Sequence, residues 1–328
     1  MTWLTWRQHR LLMLGSAAAV AAIALVMLLP GIAMHSTFSA SGLEACIAHD
    51  RSQCSALQQS FLSEFALNFL IPLFLVAPAL VGIFWGAPLV AREVEQGTHR
   101  VAWTQAVSRT HWMIVKLAIL GAAVVAGTGM LTVFLTWWSD PLVSAANDRF
   151  DPGVFDLLGL VPAAYAFFGF AVGVVAGTLT RRTTPAMGLT LAGFVGTRGA
   201  VTALVRPVYL PAVSLSYPLD GKQPGELSGA WLTSAQTVDS AGRVVSPTIG
   251  LRFDLVAKSC PSLKGPTESP PDPGAMQRCI HDAGIHVVAL YQPAGRYWLF
   301  QGIEAALFVV LAVGLLALSV WWLRNRVS

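Results

Sequence analysis

Charge is what this 328-residue chain has least of. Asp, Glu, Lys and Arg together make up 12% of it, about half the usual share of a soluble domain. That shortage excludes an ordinary solvated surface. The net charge of +4 is accounted for by membrane topology, below, and no nucleic-acid partner is invoked. No Gly-x-x-x-x-Gly-Lys-Ser/Thr loop occurs, so no cradle of that kind exists for ATP phosphates. Neither His-Glu-x-x-His nor Gly-x-Ser-x-Gly occurs, and the seven histidines are scattered. A membrane enzyme places a few polar groups in or at the edge of its spans, and here the apolar runs are almost free of them. No catalytic residue, cofactor or metal is expected in the chain itself.

Apolar length is abundant. Hydrophobic residues make up 55% of the chain and the mean hydropathy is +0.61. Six runs are long enough to cross a bilayer: Leu11–Met34, Leu67–Ala91, Trp112–Trp138, Phe155–Thr180, Pro185–Val205 and Tyr297–Leu323. A helix needs about 20 residues for this, and continuous runs without period-two alternation choose helices over a barrel. The expected fold is an all-α polytopic membrane protein. An interfacial helix at 1–10, with Trp3 and Trp6 at headgroup depth, precedes transmembrane helices one to five at 11–205. A small extracytoplasmic domain, α/β in one reading, fills 206–296. Helix six follows at 297–323, then a tail at 324–328. A secretory signal is the alternative reading of the N-terminus, but the run exceeds the usual signal core of about 7–15 residues.

Basic residues set the orientation. Arg7 and Arg10 precede the first run. Arg92, Arg100, Arg109 and Lys116 surround the second connection, Arg181 and Arg182 the fourth, and Arg324 and Arg326 follow the last run. The two short loops on the other face hold only Arg51 and Arg149 among several acids. Both termini are therefore expected in the cytoplasm of a cell whose plasma membrane the chain crosses several times. All four cysteines then fall outside, where an oxidising space favours disulfides. Local pairs Cys46–Cys54 and Cys260–Cys279 are the simple reading. Zinc, recruiting His281 or His286 beside Cys279, is the alternative, with a spacing that fits no compact site.

Within the outer segment, Gln236–Ser246 reads as a hairpin around Ala241-Gly242, and Leu251–Val256 and His286–Tyr291 as further strands. Val205–Ser216, apolar with two prolines, could dip into the outer leaflet. Pro261–Pro273 reads as irregular. The second run carries Pro72, Pro78 and Pro88. Each removes a backbone donor, so kinking or local unwinding is expected. This suits a hinge or a pathway-lining helix, although proline is also simply commoner in membrane helices.

The densest two-signed charge lies at 92–111, between the second and third runs. Arg92–Gln96 continues the second run as a polar helix, Gly97 stops it, and Ser108 or Thr110 can cap the third. The segment reads as a helix–break–helix elbow able to dock on a soluble protein, or as a solvated loop with anchoring charges.

Ala91-Arg-Glu-Val-Glu-Gln-Gly-Thr98, Trp103-Thr-Gln-Ala-Val-Ser-Arg109 and Lys116-Leu resemble the coupling region of ABC-2 type transporter permeases, in particular an actinobacterial-like group. Thr2-Trp-Leu-Thr-Trp-Arg-Gln8, Arg182–Met187 and Tyr297-Trp-x-x-Gln-x-x-Glu304 fit the same group. The resemblance implies a permease half that works with a separate ABC ATP-binding subunit, two copies of each making the pump, with ATP and Mg on that partner. A homodimer follows as the default, since one chain supplies six spans. The resemblance also implies that Glu93, Glu95, Gly97 and Thr98 match the coupling motif, with Arg92, Arg100 and Arg109 in the same region, and that Met1–Arg10 is the connecting helix. It implies export of hydrophobic or amphipathic cargo such as a drug, antibiotic, peptide or lipid. The long outer segment departs from simpler members.

Two charges lie deep inside runs. Arg198 and Glu304 each lie about 12 Å from the outer helix end at about 1.5 Å per residue. Intramembrane charges usually pair, so an Arg198–Glu304 ion pair is expected. The alternative is a snorkelling Arg198 and a Glu304 facing water. Phe74, Phe84, Trp85, Phe134 and Trp138 are candidates for a cargo path, with lipid-facing or packing roles as the alternative. A membrane enzyme or a signalling relay acting through the outer segment is the competing function.

Overall fold

The computed structural model describes residues 2–65, 70–95, 109–219, 223–248 and 273–326. Among the described residues, six helices are long and apolar enough to cross a membrane: Met13–Ala40, Phe74–Glu95, Thr110–Ala146, Val161–Thr180, Thr183–Val208 and Ala294–Asn325. They are called spans one to six. The interfacial helix expected at 1–10 runs on into span one without a separate element, because Thr2–Ala40 is one helix. The chain divides into two compact units. One comprises residues 1–147, 151–206 and 298–328; the other comprises 148–150 and 207–297.

In the first unit, span four is the most buried and packs against spans two, three and five. Glycine is the reason span two comes so close. A Cβ at Gly82 would collide with the carbonyl of Gly169, one at Gly173 with the carbonyl of Gly82, and one at Gly177 with the carbonyl of Ala87. Small residues that let backbones meet are the usual device for helix association in lipid. Span two contains a π-helical stretch, Gly82–Gly86, between Pro78 and Pro88. This is the expected local irregularity of the proline-bearing span. Span one lies along span three; its Leu25, Val26 and Leu29 are exposed, as suits side chains that face lipid.

Two short helices, Leu43–Asp50 and Ser55–Glu64, connect spans one and two. The Cys46–Cys54 disulfide joins them, with Cα atoms 6.0 Å apart. Leu43, Cys54 and Phe61 bury against Met34 and Trp138. Arg51 fixes the same region to span three, donating to the carbonyls of Ser144 at 2.9 Å and Ala145 at 3.3 Å.

The second unit holds a four-stranded antiparallel sheet in the order β1-β4-β2-β3. The strands are β1 Val213–Pro218, β2 Trp231–Val238, β3 Val244–Ser246 and β4 His286–Gln292. The hairpin read around Ala241-Gly242 joins β2 to β3, with Gly242 at φ 76°. The second half of Val205–Ser216, read as apolar and dipping, forms β1. The strand read at Leu251–Val256 lies outside the described residues, as do 261–272 of the stretch read as irregular. Helix Pro273–Asp282 packs Ile280 beside Ile285 and Leu219. Cys279 is disulfide-bonded; Cys260, its expected partner, lies outside the described residues.

Candidate functional site

Two polar constructions stand at opposite ends of the first unit. One is at the end that carries both chain termini. Span two finishes there at Glu95, span three starts at Thr110 and span five at Thr183. Glu93 accepts a short charge-assisted hydrogen bond from Lys116 on span three. Lys116 is buried and lies 4.4 Å from the centre of the Trp112 ring, so its charge is satisfied by one carboxylate and one aromatic face. Glu95 reaches span five instead. It accepts from the backbone N–H of Thr183 at 3.2 Å and from Thr183 Oγ1 at 2.8 Å. A carboxylate on the first N–H groups of a helix satisfies donors that have no intrahelical partner and favours the helix dipole. Two glutamates, two residues apart, thus tie the end of span two to the starts of spans three and five. Arg92 is exposed beside them. Gly97, Thr98 and Arg100 lie outside the described residues. Arg109 is the first residue of the helix that contains span three.

The other construction is a buried charge cluster at the opposite end. The structure gives Arg198 and Glu304 different partners from the expected pair. Arg206 grips Glu304 with two donors, Nε to Oε2 at 2.8 Å and Nη2 to Oε1 at 2.7 Å. The same Nη2 lies 2.5 Å from Asp156 Oδ1, and Arg198 Nη2 lies 2.6 Å from Asp156 Oδ2. Arg198 also donates to the carbonyl of Leu75 on span two at 2.9 Å. Tyr165 of span four donates a short hydrogen bond to Glu304 and accepts one from Arg206 at 3.0 Å. Two guanidiniums meet two carboxylates, so the cluster is formally neutral. That balance offsets the cost of burying Glu304, which is wholly shielded from solvent: an unpaired buried ion costs several kcal/mol or more.

Local backbone explains why Arg206 reaches the site. Arg198 and Arg206 are eight residues apart, which on a regular helix is about 80° off one face. Between them Val201–Val205 is π-helical, and the Arg206 N–H bonds the carbonyl of Val201. One residue too many in a turn brings the separation to that of about seven α-helical residues, about 20° off one face. Both guanidiniums then point at Asp156. Gln301 places Asp156. Its Nε2 donates to the carbonyl of Phe155 at 2.8 Å, and its Oε1 accepts from the N–H groups of Leu160 and Val161 at 3.0 and 3.1 Å. Gln301 and Glu304 are three residues apart on one helix face, which gives a physical reason for the Gln-x-x-Glu at the start of span six.

Residues 17–206 match the family described as ABC-2 membrane transporter related. The match covers more than half of the chain. This protein belongs to the ABC-2 membrane transporter related family. It is a multi-pass transporter membrane subunit, and ABC-2 membership implies in general an ABC ATP-binding partner. Comparison with curated proteins and with solved structures found no match. The ABC-2 match ends at Arg206, the last residue of the first unit's 151–206 segment. It therefore includes Asp156, Tyr165, Arg198 and Arg206 but not Glu304.

Of the aromatic path candidates, two hydrogen-bond to span one: Trp85 Nε1 donates to Ser16 Oγ at 3.2 Å and Trp138 Nε1 to the carbonyl of Met27 at 3.0 Å. Phe74 is buried with Trp138, and Phe134 lies against Trp137. Phe84 is exposed. Sequence reasoning missed Asp156, Tyr165 and Arg206, and it gave Lys116 a place in topology and in the coupling-region resemblance but no partner.

Proposed function

We propose that this chain is the permease subunit of an ATP-driven exporter of hydrophobic or amphipathic cargo. Two copies would pair with two copies of a separate ATP-binding subunit that carries ATP and Mg. The observation that supports this most is the double tie at the terminal end. The charged segment between spans two and three begins directly after Glu93 and Glu95, and these hold spans three and five. A force applied to that segment by a partner on the cytoplasmic face is passed to three helices at once. At the opposite end the neutral cluster makes spans four, five and six answer together. Cargo would move along a seam between the two permease copies, with Phe84 among the side chains able to meet it. Among the described residues, no comparable construction favours the membrane-enzyme or relay reading.

The test is co-purification with a candidate ABC ATP-binding subunit, followed by ATPase assay in lipid. Association and chain-dependent hydrolysis are expected, both weakened by Glu95→Arg. A folded chain that neither binds the partner nor alters its hydrolysis would end the pump reading.

A further inference from the structure

A cleft of about 550 Å³ opens in the first unit between spans three and six. One wall is Ile114, Ala118, Gly121 and Val125 of span three; the other is Val313, Ala317 and Val320 of span six, with Phe167 of span four also lining it. Every lining side chain is apolar. The slot exists because the facing positions are small, Ala118 and Gly121 against Ala317. Both stripes follow three- and four-residue spacing, so each wall is one helix face.

Three features of the slot agree on one occupant. From Ile114 to Val125 it runs eleven residues, about 16 Å at 1.5 Å per residue. That is close to half of a hydrocarbon core about 30 Å thick, the depth of one leaflet. Spans three and six run in opposite directions, so residues before 114 and after 320 lie at the same end. Continuing each stripe to that end leads to His111 on span three and Arg324 on span six, both exposed. An apolar slot one leaflet deep with the guanidinium of Arg324 at its polar end is complementary to a lipid with an acyl tail and an anionic head.

We propose that this slot holds a phospholipid with an anionic headgroup, drawn from the leaflet at the end of the bundle that carries the chain termini. Its acyl chain fills the gap between spans three and six, and its phosphate lies beside Arg324. The site does not depend on the transport reading: it requires only that the spans cross a bilayer.

The experiment places the full chain in phosphatidylcholine nanodiscs containing a photoactivatable phosphatidylglycerol, with the tail as the reactive part, and maps the adducts. Adducts are expected on residues 114–125 and 313–320. Arg324→Gln should lower their yield about fivefold, the worth of one basic residue beside an anionic surface. A phosphatidylcholine probe should give a similarly reduced yield on wild type. Ala118→Phe with Ala317→Phe, which fills the slot, should abolish the adducts. Leu25→Phe, at an exposed position on span one, should leave them unchanged. Adducts spread evenly over all exposed apolar faces would overturn the proposal, as would equal labelling by the two probes. Cross-links joining the slots of two copies would assign it to a second chain instead. If the double variant does not fold, the wild-type map and Arg324→Gln decide the matter, since neither alters the packing of the slot.

Discussion

Arg198 and Arg206 share one carboxylate: each places an Nη2 within 2.6 Å of a different oxygen of Asp156. The second oxygen-bridging guanidinium also holds Glu304, so the four charges form one chain, Arg198–Asp156–Arg206–Glu304. Removing Arg206 strands Glu304 while Asp156 keeps Arg198, and removing Glu304 leaves two guanidiniums on the one carboxylate of Asp156. Arg206→Ala should destabilise the folded chain by roughly 3–5 kcal/mol, and Glu304→Ala comparably. The double variant should lose much less than the sum, because it no longer strands either partner. Unfolding in mixed detergent micelles, run as a double-mutant cycle, measures this, and additive losses would count against the linked cluster.

At the terminal end, Lys116→Glu should place two carboxylates together and abolish partner-stimulated hydrolysis, while Lys116→Glu with Glu93→Lys should restore part of it. Thr183→Val should weaken coupling by a smaller factor, since it removes only the hydroxyl and leaves the backbone N–H to Glu95. ATPase rate in lipid, compared with the amount of bound partner, separates lost coupling from lost assembly. Equal rates in all variants would show that these ties carry no force.

The glycine contacts between spans two and four give a stability contrast. Gly173→Ala drives a methyl against the carbonyl of Gly82 and should cost about 1–3 kcal/mol. Gly127→Ala meets nothing within 4 Å, and it should be neutral or slightly stabilising because alanine is the better helix residue. Melting temperatures of the two variants in one detergent check the difference.

In the sheet unit, Asp239 accepts from the N–H of Arg243 at 2.9 Å, from Arg243 Nε at 2.8 Å and from the N–H of Ala241 at 3.0 Å. The Arg243 backbone donor first, then its side chain and the Ala241 N–H, hold this carboxyl below its ordinary value. A depressed carboxylate stabilises above its unfolded pKa and loses that contribution as pH falls through its folded pKa. The β2–β3 hairpin should therefore loosen only in acid, below the usual aspartate range. Hydrogen exchange at Val244–Ser246 should rise there in wild type, and Asp239→Asn should make it nearly independent of pH over the same window.

The spans were legible because apolar length is a local property, and the hairpin because Ala241-Gly242 is a local turn signal. The polar clusters were not. Arg206 follows the apolar run and precedes Pro207, so it reads as the first residue of the outer segment. Only a π turn, which no spacing rule reveals, brings it beside Arg198. The fourth apolar run, Phe155–Thr180, includes Asp156, although span four begins at Val161. A count of charges inside the spans held a partial signal. Arg198 and Glu304, in neighbouring helices, are expected to pair with each other, yet each takes another partner, a choice that depends on the tertiary packing of four separate segments. Lys116 sits seven residues into the helix that begins at Arg109; by sequence it marks sidedness and belongs to the coupling-region resemblance, while its length and burial make it a tether.

The link from Arg206 to Glu304 also imposes an order on biosynthesis. The two residues are 98 positions apart, so at about 5–20 residues per second the ribosome needs roughly 5–20 seconds to make the second after the first. During that interval span five has two guanidiniums and only Asp156 to balance them. A nascent chain stopped before span six should therefore be held by the insertion machinery or degraded, and pulse-chase of a chain ending at residue 296 should show a much shorter lifetime than the full protein. Restoring the lifetime by Arg206→Leu would identify the waiting charge as the quality-control signal; an equally short lifetime in that variant would locate the signal elsewhere.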